Sequence, residues 1–208
     1  MEPQAPYGPE ALEALKLKAR AHLRKSLRAL RAQLPPSARE AHARAITDRV
    51  LALPPWREAR RVALYASLPD EVDTQGLLRD ARDRGLYVAL PVVDRARERI
   101  FLREALGPRG PWALTPGVWG IAEPEEGAPE VDPASLDLVL VPALAADPRG
   151  HRLGYGKGHY DRLLPLAGRA VRVAVLFDFQ LVAEVPDLAH DATVDWLVTE
   201  RRVVRGTP

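Results

Sequence analysis

Apolar residues at spacings of three and four predict a long amphipathic helix near the start of the chain. Its stripe comprises Leu12, Leu15, Ala19, Leu23, Leu27, Leu30 and Leu34. Pro35 and Pro36 should end this helix, because proline lacks the backbone donor and clashes with the preceding turn. Ser37 and Glu40 have the spacing of a capping box, which predicts a second helix that ends at the next proline pair. The chain is therefore expected to open with a helical pair.

Beyond this pair, short apolar runs alternate with helical patterns. The runs lie at 61–67, 86–92, 99–104, 136–144, 172–177 and 196–200. Helices are predicted around Leu77 and Ala81 and from about Tyr160 to Leu166. The segment 105–136 is rich in glycine and proline and is predicted to be a long loop. The alternation indicates an α/β fold with a mostly parallel central sheet flanked by helices. One domain over 1–208 is expected, with a flexible tail at 1–10.

Composition removes several classes of protein. The chain has no cysteine, which excludes disulfides, thiolate nucleophiles and zinc sites built on cysteine. Lys and Arg number 30 against 28 Asp and Glu, and a net charge of +2 does not by itself indicate a polyanionic partner. The sequence has neither a secretory signal nor the roughly 20 apolar residues of a membrane span. A cytoplasmic protein without a membrane partner is expected.

The segment with the most chemistry in it is 141–164, which follows a buried strand, leads into a helix and contains GHRLGYGKGHYDRLL at 150–164. Its glycines at 150, 154, 156 and 158 allow the backbone to approach a ligand and to direct N–H groups at an anion. Arg152 and Lys157 supply positive charge, and Asp161 supplies an oxygen ligand suited to Mg²⁺. This combination predicts a nucleoside triphosphate site.

Other interpretations stay open at this point. A P-loop requires Ser or Thr after its lysine, and Gly158 follows Lys157 here. A Rossmann fingerprint requires GxGxxG, whereas these glycines are spaced GxGxG. The loop also suits an ordinary turn, and the α/β pattern also suits a sugar-phosphate isomerase. A nucleic-acid-binding module would use the arginines of the first helix, which are Arg20, Arg24, Arg28 and Arg31.

The block 150–164 resembles the signature of the 5-formyltetrahydrofolate cyclo-ligase family, also called 5,10-methenyltetrahydrofolate synthetases. Further blocks resemble the family in the same order, at 20–31, 65–74, 119–124 and 190–200. The resemblance implies Rossmann-like layering of the NagB/RpiA/CoA-transferase-like type. It also implies cyclisation of 5-formyltetrahydrofolate to 5,10-methenyltetrahydrofolate, with ATP as co-substrate and Mg²⁺ as cofactor. A monomer is expected, with no nucleic-acid partner.

The resemblance also assigns residues to roles. It implies an ATP site made of Arg20, Arg24, Arg152, Leu153, Gly154, Tyr155, Gly156, Lys157, Gly158, His159, Tyr160 and Asp161. It implies catalytic roles for Lys157, Arg152 and Tyr155, and Mg²⁺ ligation by Asp161 and Asp191. The implied folate contacts are Ala66, Glu71, Trp119, Tyr155 and Tyr160.

The chain departs from the family pattern at Arg20, Ala146 and His159, where the family has Lys, Phe and Tyr. Glu71 also has a structural alternative, because a carboxylate beside Asp70 and Asp73 is typical of a helix start. The basic face of the first helix likewise suits simple exposure to solvent.

Overall fold

The computed structural model describes residues 8–107, 110–111, 113–117 and 120–207. The helices are α1 (Pro9–Ala32), α2 (Pro36–Ala52), α3 (Pro54–Glu58), α4 (Gln75–Asp83) and α5 (His159–Leu163). The strands are β1 (Arg61–Ala63), β2 (Tyr87–Asp94), β3 (Arg99–Gly107), β4 (Gly110–Pro111), β5 (Leu114–Pro116), β6 (Ala122–Pro124), β7 (Glu130–Val131), β8 (Leu138–Pro142), β9 (Ala145–Ala146), β10 (Arg152–Leu153), β11 (Val171–Val175), β12 (Trp196–Val198) and β13 (Val203–Arg205). Short 3-10 helices lie at Pro133–Ser135, Leu164–Ala167 and Asp178–Gln180. Within the described residues, every helix is too short or too polar to cross a membrane.

A nine-stranded sheet lies at the centre, in the order β13-β12-β11-β8-β1-β2-β3-β4, with β7 paired to β3. Strands β12, β11, β8, β1 and β2 are parallel, whereas β13 and β3 pair with their neighbours antiparallel. The middle strand β8 alternates between the two faces, since Leu138 and Leu140 pack in one core cluster and Val139 and Val141 in another. The predicted α/β fold with a mostly parallel sheet is confirmed.

Helices cover both faces of this sheet, as buried parallel strands require. Ile46, Trp56 and Leu77 bring α2, α3 and α4 to one face. Leu163 and Leu164 pack the region of α5 against the other. The segments after the carboxyl ends of β1 and β8 therefore lie at one edge of the sheet, which is where ligands bind in open α/β folds.

The start of the chain differs from its prediction in two details. Helix α2 begins at Pro36 with Pro35 as its N-cap, and among the described residues no side chain caps it. Ser37 lies within the first turn, so the predicted capping box is wrong. Proline suits this position because the first N–H groups of a helix have no helical partner. Of the predicted tail 1–10, residues 1–7 lie outside the described residues, and Pro9 already belongs to α1.

The segment 105–136 is not one long loop, so that prediction is wrong. Strand β3 continues to Gly107, and β5 and β6 form a hairpin in which Thr115 lies opposite Glu123. Strand β7 then pairs with β3 through Val131 opposite Leu102. The glycines and prolines that predicted a loop separate several very short strands, because both residue types favour tight turns and sheet edges.

Helix α1 turns a different face inward from the one that its leucines predict. Leu27 is buried, but Leu15 and Leu30 expose 45% and 51% of their surface. Arg20 and Arg31 lie on the inward face instead, exposing only 5% and 2%. Burying a charged guanidinium is costly, so a buried arginine needs charged or polar groups that pair with it. Those partners define the candidate site.

Candidate active site

The site is formed by two segments and one helix. Residues 154–158, here called the glycine loop, connect β10 to α5. Residues 68–71, here called the acidic turn, follow β1, and Glu71 N–H closes the turn by donating to the Leu68 carbonyl at 2.9 Å. Helix α1 lies against both. The inward arginines of α1 therefore contact a loop and a turn that lie far apart in the sequence.

The glycine loop has a backbone that only glycine adopts easily. Gly156 and Gly158 have φ values of +99° and +64°, in the left-handed region. A Cβ atom on Gly156 would also lie 3.4 Å from the Arg24 guanidinium carbon. Arg24 Nε donates to the Gly154 carbonyl at 3.0 Å. The loop is thus shaped by its glycines and held from α1 by Arg24.

Arg24 keeps its two terminal nitrogens free of hydrogen bonds within the described part of the chain. Burial, with the neighbouring charges of Arg20 and Arg28, lowers the pKa of this guanidinium. Crowded, partly desolvated positive charge next to a glycine loop attracts an anion strongly. The expected phosphate contact of Arg24 is consistent with this geometry and stays a prediction.

Arg152 forms the floor of the site. Its Nη2 donates to Asp161 Oδ1 at 2.8 Å, and its guanidinium carbon lies 5.8 Å from the centre of the Tyr160 ring. The Ala192 N–H also donates to Asp161 Oδ1, at 3.2 Å. Burial lowers the pKa of Arg152, and its buried Nε has no hydrogen-bond partner among the described residues. An unsatisfied buried donor is costly, so this nitrogen is well placed to receive an acceptor.

Arg20 differs from Arg24 because its charge is already paired. Its two terminal nitrogens reach the two carboxylate oxygens of Asp191, and Nη1 also donates to the Pro186 carbonyl at 2.9 Å. The Leu188 N–H donates to the same carboxylate at 2.8 Å. Both side chains of this ion pair are almost fully buried. The pair fastens α1 to the segment before β12, a long-range contact that no local pattern signals.

The folate side of the predicted site centres on Glu71. The carboxylate is buried, accepts a hydrogen bond from the Leu68 N–H at 3.0 Å and lies near the Tyr155 hydroxyl. Burial raises the pKa of Glu71. The helix-start alternative for Glu71 is wrong, since Asp73 is the carboxylate that accepts from the Gln75 N–H at the start of α4. A buried carboxylate at this position could accept the N–H donors of a ligand.

Tyr155 joins this carboxylate to α1. Arg31 Nη2 donates to the Tyr155 hydroxyl, and Arg28 lies over the ring at 4.8 Å from its centre. Burial and the charge of Glu71 raise the pKa of Tyr155 to about 12. Burial likewise raises the pKa of Tyr160. Both phenols are therefore protonated near neutral pH and act as hydrogen-bond donors.

The other predicted residues have distinct surroundings. Lys157 is exposed, and its side chain has no hydrogen bond or ion pair within the described residues. Leu153 is fully buried beside Leu27, so only its backbone can face a ligand. Burial, followed by the charges of Arg162 and Lys157, lowers the pKa of His159. Ala66 is half-buried after β1. Trp119 lies outside the described residues, and its folate contact stays a prediction.

Magnesium ligation fits Asp161 better than Asp191. Within the described residues, no group of three or more His, Asp or Glu side chains is arranged to hold a metal ion. An ATP enzyme needs only one or two carboxylates, because phosphates and water complete the shell. Asp161 Oδ2 has no protein donor within hydrogen-bond distance among the described residues. Both oxygens of Asp191 are taken by Arg20.

The match to known proteins extends over nearly the whole chain. The sequence model of the 5-formyltetrahydrofolate cyclo-ligase family matches residues 16–200. The chain belongs to this family. It is accordingly an enzyme, a cyclo-ligase. The 5-formyltetrahydrofolate cyclo-ligase of Mycolicibacterium smegmatis is 32% identical over 187 residues, which are 89% of this chain and 95% of that protein. The mouse protein of the same name is 29% identical over 87% and 91% of the two chains.

Solved structures agree with the family assignment. An NMR structure of Aquifex aeolicus 5,10-methenyltetrahydrofolate synthetase has 34% identity and a TM-score of 0.78, covering 89% of this chain and 92% of that one. A 5,10-methenyltetrahydrofolate synthetase from Mycoplasma pneumoniae shares the fold, with a TM-score of 0.70 at 20% identity, over 87% and 98% of the chains.

Two functional candidates of this cyclo-ligase were missed in the sequence analysis. Arg31 and Asp70 form an ion pair next to Tyr155 and Glu71. The available signal was the position of Arg31 on the same basic helix face as Arg20 and Arg24. That face suited exposure to solvent, and only the structure shows it turned inward.

Proposed function

We propose that this cyclo-ligase uses ATP to convert 5-formyltetrahydrofolate to 5,10-methenyltetrahydrofolate, ADP and phosphate. The observation that supports the proposal is the meeting of two chemistries within one site. Cationic groups surround the glycine loop, and a buried carboxylate with tyrosine hydroxyls lies at its other side. Tyr155 belongs to both halves, because it lies in the loop and its hydroxyl lies near Glu71. One site can thus hold a polyphosphate and a folate in contact.

The reaction needs activation of an amide. The N5-formyl oxygen is a poor leaving group, so transfer of the γ-phosphoryl group to it creates a phosphate that can depart. N10 of the same folate then attacks the formyl carbon and releases its proton to water, the C–O bond breaks, and the released phosphate carries the original formyl oxygen. Since N10 and the formyl group belong to one molecule, alignment alone lowers the barrier substantially. A covalent enzyme intermediate is unnecessary.

The chain's own residues would supply charge and orientation. Lys157 and the free nitrogens of Arg24 would neutralise the phosphates, and Arg152 would offer its unpaired Nε from beneath them. Asp161 would hold Mg²⁺, which when bound supplies further neutralisation of phosphate charge. Arg20 would act by fastening α1 to Asp191, since its own guanidinium is buried and paired.

Glu71 and the tyrosines would recognise the folate. The pterin ring carries N–H donors along one edge, and a buried carboxylate is the acceptor that such donors require. Tyr155 and Tyr160 would bound the ring, with their hydroxyl protons retained because burial raises the pKa of both. A folate bound in this way would present its formyl group to the glycine loop.

The reaction itself gives the test. Cyclisation creates a conjugated amidinium, which absorbs at longer wavelength than the formyl amide. The purified protein should generate this band from 5-formyltetrahydrofolate only with ATP and Mg²⁺, with one ADP formed per product. The 10-formyl isomer is the matched control and should give no comparable ATP-coupled rate. Band formation without ATP, or ATP hydrolysis without cyclised product, would show the proposal to be wrong.

A further inference from the structure

Arg31 is the most deeply buried arginine of α1, and the site described so far does not use it directly. It exposes 2% of its surface, in the last turn of the helix. Its Nε and Nη2 donate to Asp70 Oδ2 at 2.9 and 2.7 Å. Nη2 also donates to the Tyr155 hydroxyl. Burial disfavours the charge, but the hydrogen bonds to Tyr155 and Asp70 outweigh it and raise the pKa of Arg31.

The donor capacity of arginine sets the direction of the hydrogen bonds. A guanidinium has donors only, so the oxygen of Tyr155 must accept from Arg31. The single phenolic proton of Tyr155 is then available for the neighbouring carboxylate of Glu71. Glu71 Oε2 meanwhile accepts from the Leu68 N–H at 3.0 Å. Asp70, Arg31, Tyr155 and Glu71 form a closed ring, because Asp70 and Glu71 are consecutive in the chain.

We propose that Arg31 is a positioning residue for the folate side of the site. Held by Asp70, it fixes the Tyr155 hydroxyl so that the hydroxyl donates to Glu71 and keeps that carboxylate oriented for the folate. Arg31 is too buried to touch a substrate, and it acts through Tyr155. The inference rests on the proposed function, because it takes Glu71 to be the folate contact.

The ring predicts a specific effect on the two KM values. Loss of the hydrogen bond from Arg31 frees the Tyr155 ring to rotate, and Glu71 then loses its oriented donor. The hydrogen bond from Arg24 to the Gly154 carbonyl at 3.0 Å, which holds the glycine loop against α1, involves none of the four side chains of this ring. The KM for folate should therefore rise while the KM for ATP stays nearly constant.

Three variants test this. Arg31→Gln and Tyr155→Phe should each raise the KM for 5-formyltetrahydrofolate about tenfold, as expected for a charge-assisted hydrogen bond. The KM for ATP should change less than about twofold. The double variant Arg31→Gln with Tyr155→Phe should have the folate KM of the worse single variant, because both substitutions remove the same hydrogen bond. Arg31→Lys keeps a charge beside Asp70 but not the forked geometry. It should fold like the parent and still show the raised folate KM.

Arg39→Gln is the matched control. Arg39 also binds the acidic turn, donating to the Pro69 carbonyl at 2.8 Å, but contacts neither Tyr155 nor Glu71. It should leave the folate KM at the parent value. Three outcomes would overturn the positioning role alone. One is a folate KM that is unchanged in folded variants, and another is an equal rise in the KM for ATP. The third is a folate KM that rises tenfold in each single variant and about a hundredfold in the double variant. A parent without cyclisation would overturn the proposed function, and this inference with it.

Discussion

Replacing Asp191 by asparagine keeps the shape of the side chain and removes its charge from beside Arg20. In the folded protein the carboxylate accepts two bonds from Arg20 and one from the Leu188 N–H. The side chains of the pair expose 6% and 2% of their surface, so water cannot replace the lost partner. Breaking a buried ion pair from one side typically costs about 3 to 5 kcal/mol. Arg20 retains its bond to the Pro186 carbonyl at 2.9 Å, which favours the lower end of that range.

We therefore expect Asp191→Asn to lower the free energy of unfolding by about 3 kcal/mol. For a chain of this size, that corresponds to a fall in Tm of roughly 6 to 12 °C. The measurement is urea unfolding in the presence of EDTA and without nucleotide, so that any metal contribution is absent. Asp187→Asn is the matched control, because its carboxylate pairs with Lys16 at 3.5 Å in partial contact with solvent. Its loss should be below about 1 kcal/mol.

A double-mutant cycle with Arg20→Gln separates the pair from its surroundings. If the two side chains act as one unit, the double variant loses much less than the two single losses added together. The reasoning is refuted if Asp191→Asn unfolds within about 0.5 kcal/mol of the parent in EDTA, the precision of such comparisons. A shifted Mg²⁺ titration alongside that result would make Asp191 a metal ligand, as the family resemblance implies.

Two further predictions concern Lys157 and Glu71. Lys157→Ala should lower turnover by about two orders of magnitude and leave the Tm unchanged, because the side chain is exposed. Lys18→Ala is the control. A lower Tm with intact turnover in Lys157→Ala would assign Lys157 a structural role. Burial raises the pKa of Glu71, so at pH values above the folded pKa its charge lowers the free energy of unfolding. Below the ordinary pKa of about 4.3 the carboxyl group is neutral in both states, and this penalty is absent. Glu71→Gln should thus weaken folate binding but raise the free energy of unfolding at pH 8 by about 1 kcal/mol. This gain in stability should vanish towards pH 4, and a gain that is constant with pH would contradict the buried-charge explanation.

Local patterns were sufficient for much of this fold. The apolar run at β8 predicted a strand buried on both faces, and Leu138 to Val141 are almost fully buried in the centre of the sheet. The glycine loop was also found from sequence, because glycine spacing and a following helix are local features. Gly156 and Gly158 indeed require left-handed backbone. Where one short segment determines the structure, the prediction holds.

Long-range pairing explains where prediction failed. The leucine stripe of α1 predicted its inward face, yet Leu15 and Leu30 are exposed and Arg31 is buried. Helical periodicity cannot show that Arg31 meets a carboxylate and a phenol from distant segments. The segment 105–136 failed for a related reason, since strands as short as β5 and β6 exist only through their pairing with each other.

The distances along the chain also bear on when the enzyme becomes competent during its synthesis. Arg20 is separated from Asp191 by 171 positions, and Arg24 from Gly154 by 130. A ribosome makes α1 well before its carboxylate partner, and pairings this remote form slowly. Until the region of Asp191 emerges, Arg20 lacks its carboxylate partner and α1 is not fastened to the segment before β12. Nucleotide binding by this protein should therefore require the part of the chain that contains Asp191. Nascent chains truncated before Asp191 should not bind nucleotide.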